Sequence, residues 1–177
     1  MAQVTIMGMF DRPDRPKAVV KTTPWEMAVE VVALAALLLN IAIMAYFWSQ
    51  LPYFIPMQAS QGGLAVTGWS RTTALGVVTL LPLVIYAGTT LMGRFARWFS
   101  YPVPITAENA AREYRLAANL LRYIKAEVMV SMLYVEWVYI QIGLGNVASL
   151  HVLFLPALMA VLAITFAYFF FEMFRQK

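Results

Sequence analysis

The sequence predicts an all-α integral membrane protein, a four-helix transmembrane bundle with a cytoplasmic amphipathic helix leading into the third span. Three observations carry that prediction. Of 177 residues, 62% are apolar and 12% charged, against about 45–50% and about 25% in soluble domains, so one aqueous core cannot bury the apolar surface. Four apolar runs, near 27–48, 72–92, 126–144 and 147–171, each approach the roughly 20 residues an α-helix needs to cross a bilayer. Lys and Arg collect in alternate connections, as in an oriented multi-pass chain.

Residues 1–23 form a polar cytoplasmic lead carrying Asp11, Arg12, Asp14, Arg15, Lys17 and Lys21, with Pro13 and Pro16 interrupting any helix. No secretory-signal pattern is present, so the first span is expected to remain as an uncleaved anchor. Residues 24–177 then read as one four-span membrane domain. The first span follows Pro24, a favoured first-turn residue, with Trp25 at the interface and Glu26 and Glu30 in the opening turns. It is apolar from Val31 to Trp48 except for Asn40. The connection from Ser49 to Arg71 holds Pro52, Pro56, Gly62, Gly63 and Gly68, which rules out a regular helix; it either packs on the helix ends or binds something.

The second span carries Pro82 near its centre. A proline there kinks the helix and frees the carbonyl of Val78, with Thr79, Thr89 or Thr90 available to compensate. A basic-aromatic link, Gly93 to Pro104, leads to a helix expected to be capped by Thr106. Along that helix Ala110, Tyr114, Ala117, Leu121, Ile124 and Val128 recur at helical spacing, opposite Arg112, Arg115, Asn119 and Arg122. The pattern fits either a helix lying on the membrane or a partner before it turns inward, or a solvated extension of the third span. A short turn, Gly143 to Ser149, joins the third span to the fourth, which contains His151 and Pro156.

Four basic residues precede the first span, one lies in the Ser49–Arg71 connection, six fall between Arg94 and Lys125, none in the Gly143 turn, and two at the C-terminus. Orientation follows the basic residues. Both termini and the Arg94–Lys125 segment are therefore expected to be cytoplasmic. The same clustering explains the net charge of +4 without nucleic acid.

Glu136, at mid-depth on the third span, is the sharpest candidate, because an ionisable side chain in lipid is costly and faces protein. Asn40 lies at similar depth on the first span. Their readings are a protonated carboxyl hydrogen-bonded to Asn40, Tyr139 or a partner, or a proton or cation relay. His151, expected one turn into the fourth span, is able in principle to ligate haem or chlorophyll, but a hydrogen bond to a carbonyl or lipid headgroup is the preferred reading. With no cysteine and one histidine, neither a catalytic triad nor a metal cluster can be assembled, and no phosphate loop is present. The expectation is a protein without catalytic residues, metal or cofactor, with bound lipid.

Two stretches carry a family resemblance: Leu51-Pro52-Tyr53-Phe54-Ile55-Pro56 through Gly63, Trp69 and Arg71, and Pro102-Val103-Pro104-Ile105-Thr106 with Glu108, Asn109 and Tyr114. In these the chain resembles a bacterial family of small membrane proteins classed as a domain of unknown function, related to the N-terminal domain of the sporulation-delaying-toxin immunity protein. The resemblance implies a helical membrane domain and an outer-loop motif at Pro52, Pro56, Gln58, Gly63 and Trp69. Gln58 stands where the family pattern has histidine, and Val66 and Thr67 where it has aspartate. The functional expectation is a non-catalytic accessory or scaffold subunit, packed with other integral membrane subunits and lipid in an energy-transducing complex of respiratory or photosynthetic electron transfer. Nucleic acid and soluble substrates are not expected. A stand-alone immunity or signalling membrane protein is the alternative, and a small transporter using Glu136 the third.

Overall fold

A reciprocal capping box starts the first long helix: Glu26 N donates to Thr23 Oγ1 at 3.4 Å and Thr23 N donates to Glu26 Oε2 at 2.9 Å, with Pro24 in the first turn. The protein is described by a computed structural model over residues 15–16, 22–59 and 66–175, and it is mostly helical. Helix α1 runs Pro24–Phe47 and buries Ala33, Ala36, Leu37, Asn40 and Met44. Its small residues let a neighbouring helix approach closely.

The connection after α1 adds a little sheet to a mostly helical chain. It forms a two-stranded antiparallel hairpin, β1 (Phe54–Ala59) with β2 (Val66–Ser70), whose register pairs Ile55 with Trp69 and Pro56 with Gly68 and shifts between Pro56 and Gln58. Gly68 is required by that pairing, since a Cβ would lie 2.4 Å from the Ile55 carbonyl oxygen. The hairpin packs on the helix ends: Leu51 and Ile55 are buried with Met44, Val78, Tyr139 and Ile140. Arg71, the basic residue of this connection, donates from Nη1 to the carbonyls of Trp48 and Leu51, both at 3.1 Å, and stacks over the Trp48 ring.

Helix α2 runs Arg71–Arg94 and is α-helical over Arg71–Leu75, π-helical over Gly76–Leu80 and α-helical again over Leu81–Arg94. The irregular segment lies just ahead of Pro82, whose missing N–H cannot bond the Val78 carbonyl. Helix α3, Ala110–Gly143, is one unbroken rod of 34 residues; the sequence from Ala110 to Ile142 contains no glycine or proline to turn it. It begins later than expected. Thr106 N donates to Asn109 Oδ1 at 2.8 Å and Asn109 N to Thr106 Oγ1 at 3.3 Å, a turn that leaves Asn109 at the cap position. At its other end Gly145 takes φ +78, and Asn146 N returns to the Gln141 carbonyl at 2.9 Å, a left-handed stop.

The last helix, α4, runs Phe154–Phe174 rather than from residue 147. Pro156 dictates this: a proline is tolerated in a first turn, where its N–H has no intrahelical acceptor. Helices α1, α2 and α4 all pack on α3. Among the described residues three helices are long and apolar enough to cross a membrane, Pro24–Phe47, Arg71–Arg94 and Phe154–Phe174. The 126–144 run is not among them, its apolar half being diluted by Glu127, Glu136 and Gln141.

Helices α1 and α3 lie side by side in the same direction. Glu26 meets Asn119, Glu30 meets Lys125, Ala33 shares a core cluster with Met129, Met44 shares one with Ile140, and the Phe47 and Trp137 rings sit 5.9 Å apart.

Candidate functional site

One stripe of α3, Lys125, Met129, Glu136 and Ile140, is buried at helical spacing. Its neighbours fix where it faces. Lys125 Nζ donates to Glu30 Oε1 of α1 and, at 2.9 Å, to Thr90 Oγ1 of α2. Met129 packs with Ala33, Ala36 and Leu37 of α1, and Ile140 with Met44 of α1 and Val78 of α2. Glu136, fully buried, lies between Met129 and Ile140 and so faces the seam of all three helices.

The α1–α3 register puts Asn40 at the level of Glu136. Asn40 Nδ2 donates to the Val78 carbonyl at 3.1 Å, taking up the acceptor that Pro82 releases. The side chain that compensates is therefore on α1, not among the threonines of α2; Thr89 bonds instead to the Ile85 and Tyr86 carbonyls at 2.7 and 3.1 Å. The expected bond between Glu136 and Asn40 or Tyr139 is not made. Both Glu136 carboxyl oxygens, Asn40 Oδ1, Thr79 Oγ1 and the Tyr139 hydroxyl are shielded from solvent and have no hydrogen-bond partner among the described residues. Five buried polar atoms without partners on three adjoining helices are costly, since each forgoes the bond it makes in water.

A second polar cluster closes the other end of the seam. Glu26, 3% exposed, accepts from Arg115 Nε at 2.7 Å, Asn119 Nδ2 at 2.9 Å and Arg122 Nη1 at 3.3 Å. Glu30 also accepts from the Tyr86 hydroxyl at 3.2 Å, and Lys125 stands 4.6 Å over the Tyr86 ring. The charged face expected to meet water, membrane or a partner thus meets acids of its own chain; Arg112 likewise pairs with Glu113 at 3.1 Å and Glu172 at 3.7 Å. Burial pushes the Glu113 carboxyl up, against the opposing pull of Arg112. A cavity of about 320 Å³ opens beside this cluster, lined by Glu26, Glu30, Thr90, Arg94, Arg122 and Lys125 among others.

The remaining sequence candidates do not join either cluster. His151 is exposed in the turn before α4, where Nδ1 accepts from Leu153 N at 3.3 Å, so it is not inside the fourth span as expected. Pro52 is exposed, Pro56 and Gln58 lie on β1, and Trp69 on β2 is half-buried with its ring 6.4 Å from that of Tyr139. Gly63 lies outside the described residues. Among the described residues no group of three His, Cys, Asp or Glu side chains is placed to hold a metal. Sequence reasoning passed over Lys125 with Glu30, and Thr79 as a seam residue; the spacing from Lys125 through Glu136 was the available signal.

What the fold defines is a class, a mostly helical chain with three helices fit by length and composition to cross a membrane. Comparison with known protein families, curated proteins and solved structures gives no match.

Proposed function

We propose that the chain is a four-span protein of a bacterial inner membrane, termini in the cytoplasm, serving as a non-catalytic subunit that packs beside other membrane subunits. The fourth crossing rests on register. From Lys125 onward α3 follows α1 residue for residue, so a bilayer spanned by α1 contains the apolar half of α3 as well. Glu136 turns into the seam and Glu127 is bonded to Thr165 of α4, which is how a helix of modest hydropathy remains compatible with lipid.

The subunit reading is carried by the flank between α3 and α4. There a laterally open groove of about 410 Å³ is lined by Ala126, Glu127, Val130, Ser131, Phe154, Ala157, Leu158 and Val161. Thr165 donates to Glu127 Oε1, while Oε2 is buried without a partner. Lipid tails bring no hydrogen-bond donor, whereas a transmembrane helix carrying a polar residue does, and the small side chains Ala126, Ser131 and Ala157 let its backbone approach. An energy-transducing complex is the class of assembly proposed. Gentle solubilisation followed by native electrophoresis and mass spectrometry tests it: stoichiometric co-migration with a larger complex, lost on Ala157→Phe, is expected. Migration of the parent chain alone at one or two chains' mass rejects the reading.

One observation favours the alternative of an immunity or signalling protein. The hairpin presents Tyr53 and Phe54 to solvent while Leu51 and Ile55 anchor it, a display suited to meeting a toxin or ligand, in line with the family the loop resembles. Tyr53→Ala with Phe54→Ala then abolishes protection of cells without loss of the folded chain.

A further inference from the structure

We propose that Glu136, Asn40, Thr79 and Tyr139 form a dehydrated binding site for one monovalent alkali cation of sodium size, built at the seam of α1, α2 and α3. Three independent features point to that stretch of the seam. Oxygen atoms from three helices are buried there without partners. The α2 backbone is π-helical from Gly76 to Leu80, a distortion frequent at functional sites, and Thr79 lies within it. Asn40 is already oriented by its bond to the Val78 carbonyl, which leaves Oδ1 as the free end of a fixed amide.

The donor set selects the ligand. Asn40 Oδ1, Thr79 Oγ1, the Tyr139 hydroxyl oxygen and the Glu136 carboxylate are all hard oxygen donors, with no nitrogen or sulfur to favour a transition metal. One carboxylate balances one positive charge. A divalent ion would leave an uncompensated charge, because Glu136 is the one acid in the donor set: Glu127 is bonded to Thr165 on the α4 side of α3, and Glu30 is paired with Lys125. Ammonium-sized organic cations are excluded by closure on both sides. Ala33, Ala36, Leu37 and Met129 pack toward Lys125, and Met44, Leu51, Ile55 and Ile140 toward the hairpin. A proton on Glu136 is the competing occupant, since an ion left unpaired at this depth costs several kcal/mol, order of magnitude.

Carbodiimide modification reads the occupant directly, because the reagent attacks a protonated buried carboxyl and a bound cation protects it. The detergent-solubilised full chain is treated with dicyclohexylcarbodiimide at one pH, ionic strength being balanced with choline chloride, and Glu136 labelling is followed by peptide mass. Sodium at 100 mM, on the order of a hundredfold above a millimolar affinity, is expected to slow labelling at least tenfold relative to choline. Thr79→Val and Asn40→Ala are each expected to raise the half-protecting sodium concentration about tenfold, near 1.4 kcal/mol, and Glu136→Gln removes the label. Where the reagent fails to reach Glu136, or a variant fails to fold, the melting temperature of the parent chain decides: it rises with sodium and stays flat with choline. Equal labelling in sodium, lithium, potassium and choline, or melting indifferent to all four, overturns the proposal.

Discussion

Glu26→Ala tests the cluster that fastens α1 to α3. The carboxylate is 3% exposed and accepts from Thr23 N, Arg115 Nε, Asn119 Nδ2 and Arg122 Nη1, all between 2.7 and 3.3 Å. Removing one partner of a buried pair costs about 3–5 kcal/mol. The Arg115 and Arg122 side chains are 43% and 23% exposed, so water re-solvates them and the lower end applies. The Glu26 side of the capping box contributes within the usual range of about 1 kcal/mol. About 3 kcal/mol follows, or a fall in Tm of roughly 6–12 °C by the scaling for soluble domains of this size. Glu26→Gln keeps an acceptor for Thr23 and Asn119 and is expected to lose about half as much. The assay is intrinsic-fluorescence melting in mild detergent, with Arg115→Ala completing a double-mutant cycle. Glu26→Ala melting within 1 °C of the parent, or a cycle with no coupling, refutes the assignment of α1–α3 cohesion to this carboxylate.

Three further outcomes are expected. Asn40→Leu strips the Val78 carbonyl of its donor and lowers stability by about 1–3 kcal/mol; because Pro82 is what frees that carbonyl, Pro82→Ala restores an intrahelical donor and recovers part of the loss in the double variant, measured by melting. Ile55→Ala opens a cavity among Met44, Tyr139 and Ile140 and costs about 2–5 kcal/mol, whereas Tyr53→Ala on the exposed side of the same hairpin changes melting little. Burial raises the Glu113 carboxyl, so the folded chain holds that proton more tightly than the unfolded one. Its contribution is full below the ordinary carboxylate range and is lost as pH rises through the raised value, so the parent's Tm falls relative to that of Glu113→Gln as pH rises above the ordinary carboxylate range. Parallel curves contradict that sign.

The sequence announced the released Val78 carbonyl, because Pro82 removes a donor by chemistry alone, but not that Asn40 would take it. That depends on the offset between two helices, which no periodicity within either one contains. The same limit explains the charged face of α3. Helical spacing tells which of Arg115, Asn119 and Arg122 share a face; it does not tell that Glu26 and Glu30 stand opposite, although Pro24 as a first-turn residue marked where α1 begins. His151 was misplaced because Val147 to Phe171 reads as one apolar run until the first-turn requirement of Pro156 is applied. In the hairpin, proline and glycine correctly excluded helix, yet Pro56 obscured a strand that tolerates it at an irregular register next to an edge.

The paired charges bear on orientation. Arg112, Arg115, Arg122 and Lys125 each contact a glutamate. Were net charge the orienting quantity, those acids would cancel most of the basic excess between Arg94 and Lys125, and the bias would rest on the N-terminal segment. Insertion responds instead to Lys and Arg near the span ends, with Asp and Glu contributing little, and it precedes the packing that forms the pairs. Glu26→Gln with Glu30→Gln should therefore destabilise the bundle without turning it, whereas Arg94→Gln, Arg97→Gln, Arg112→Gln and Arg115→Gln together should yield mixed orientations. Cysteines replacing Tyr53 and Glu108, both exposed, report the sides: a membrane-impermeant maleimide labels only position 53 in intact cells of the parent and of the glutamine pair, and both positions in part of the arginine-depleted population. Equal labelling of both positions in the parent would mean that α2 does not separate two compartments, and the basic residues would then need an explanation other than orientation.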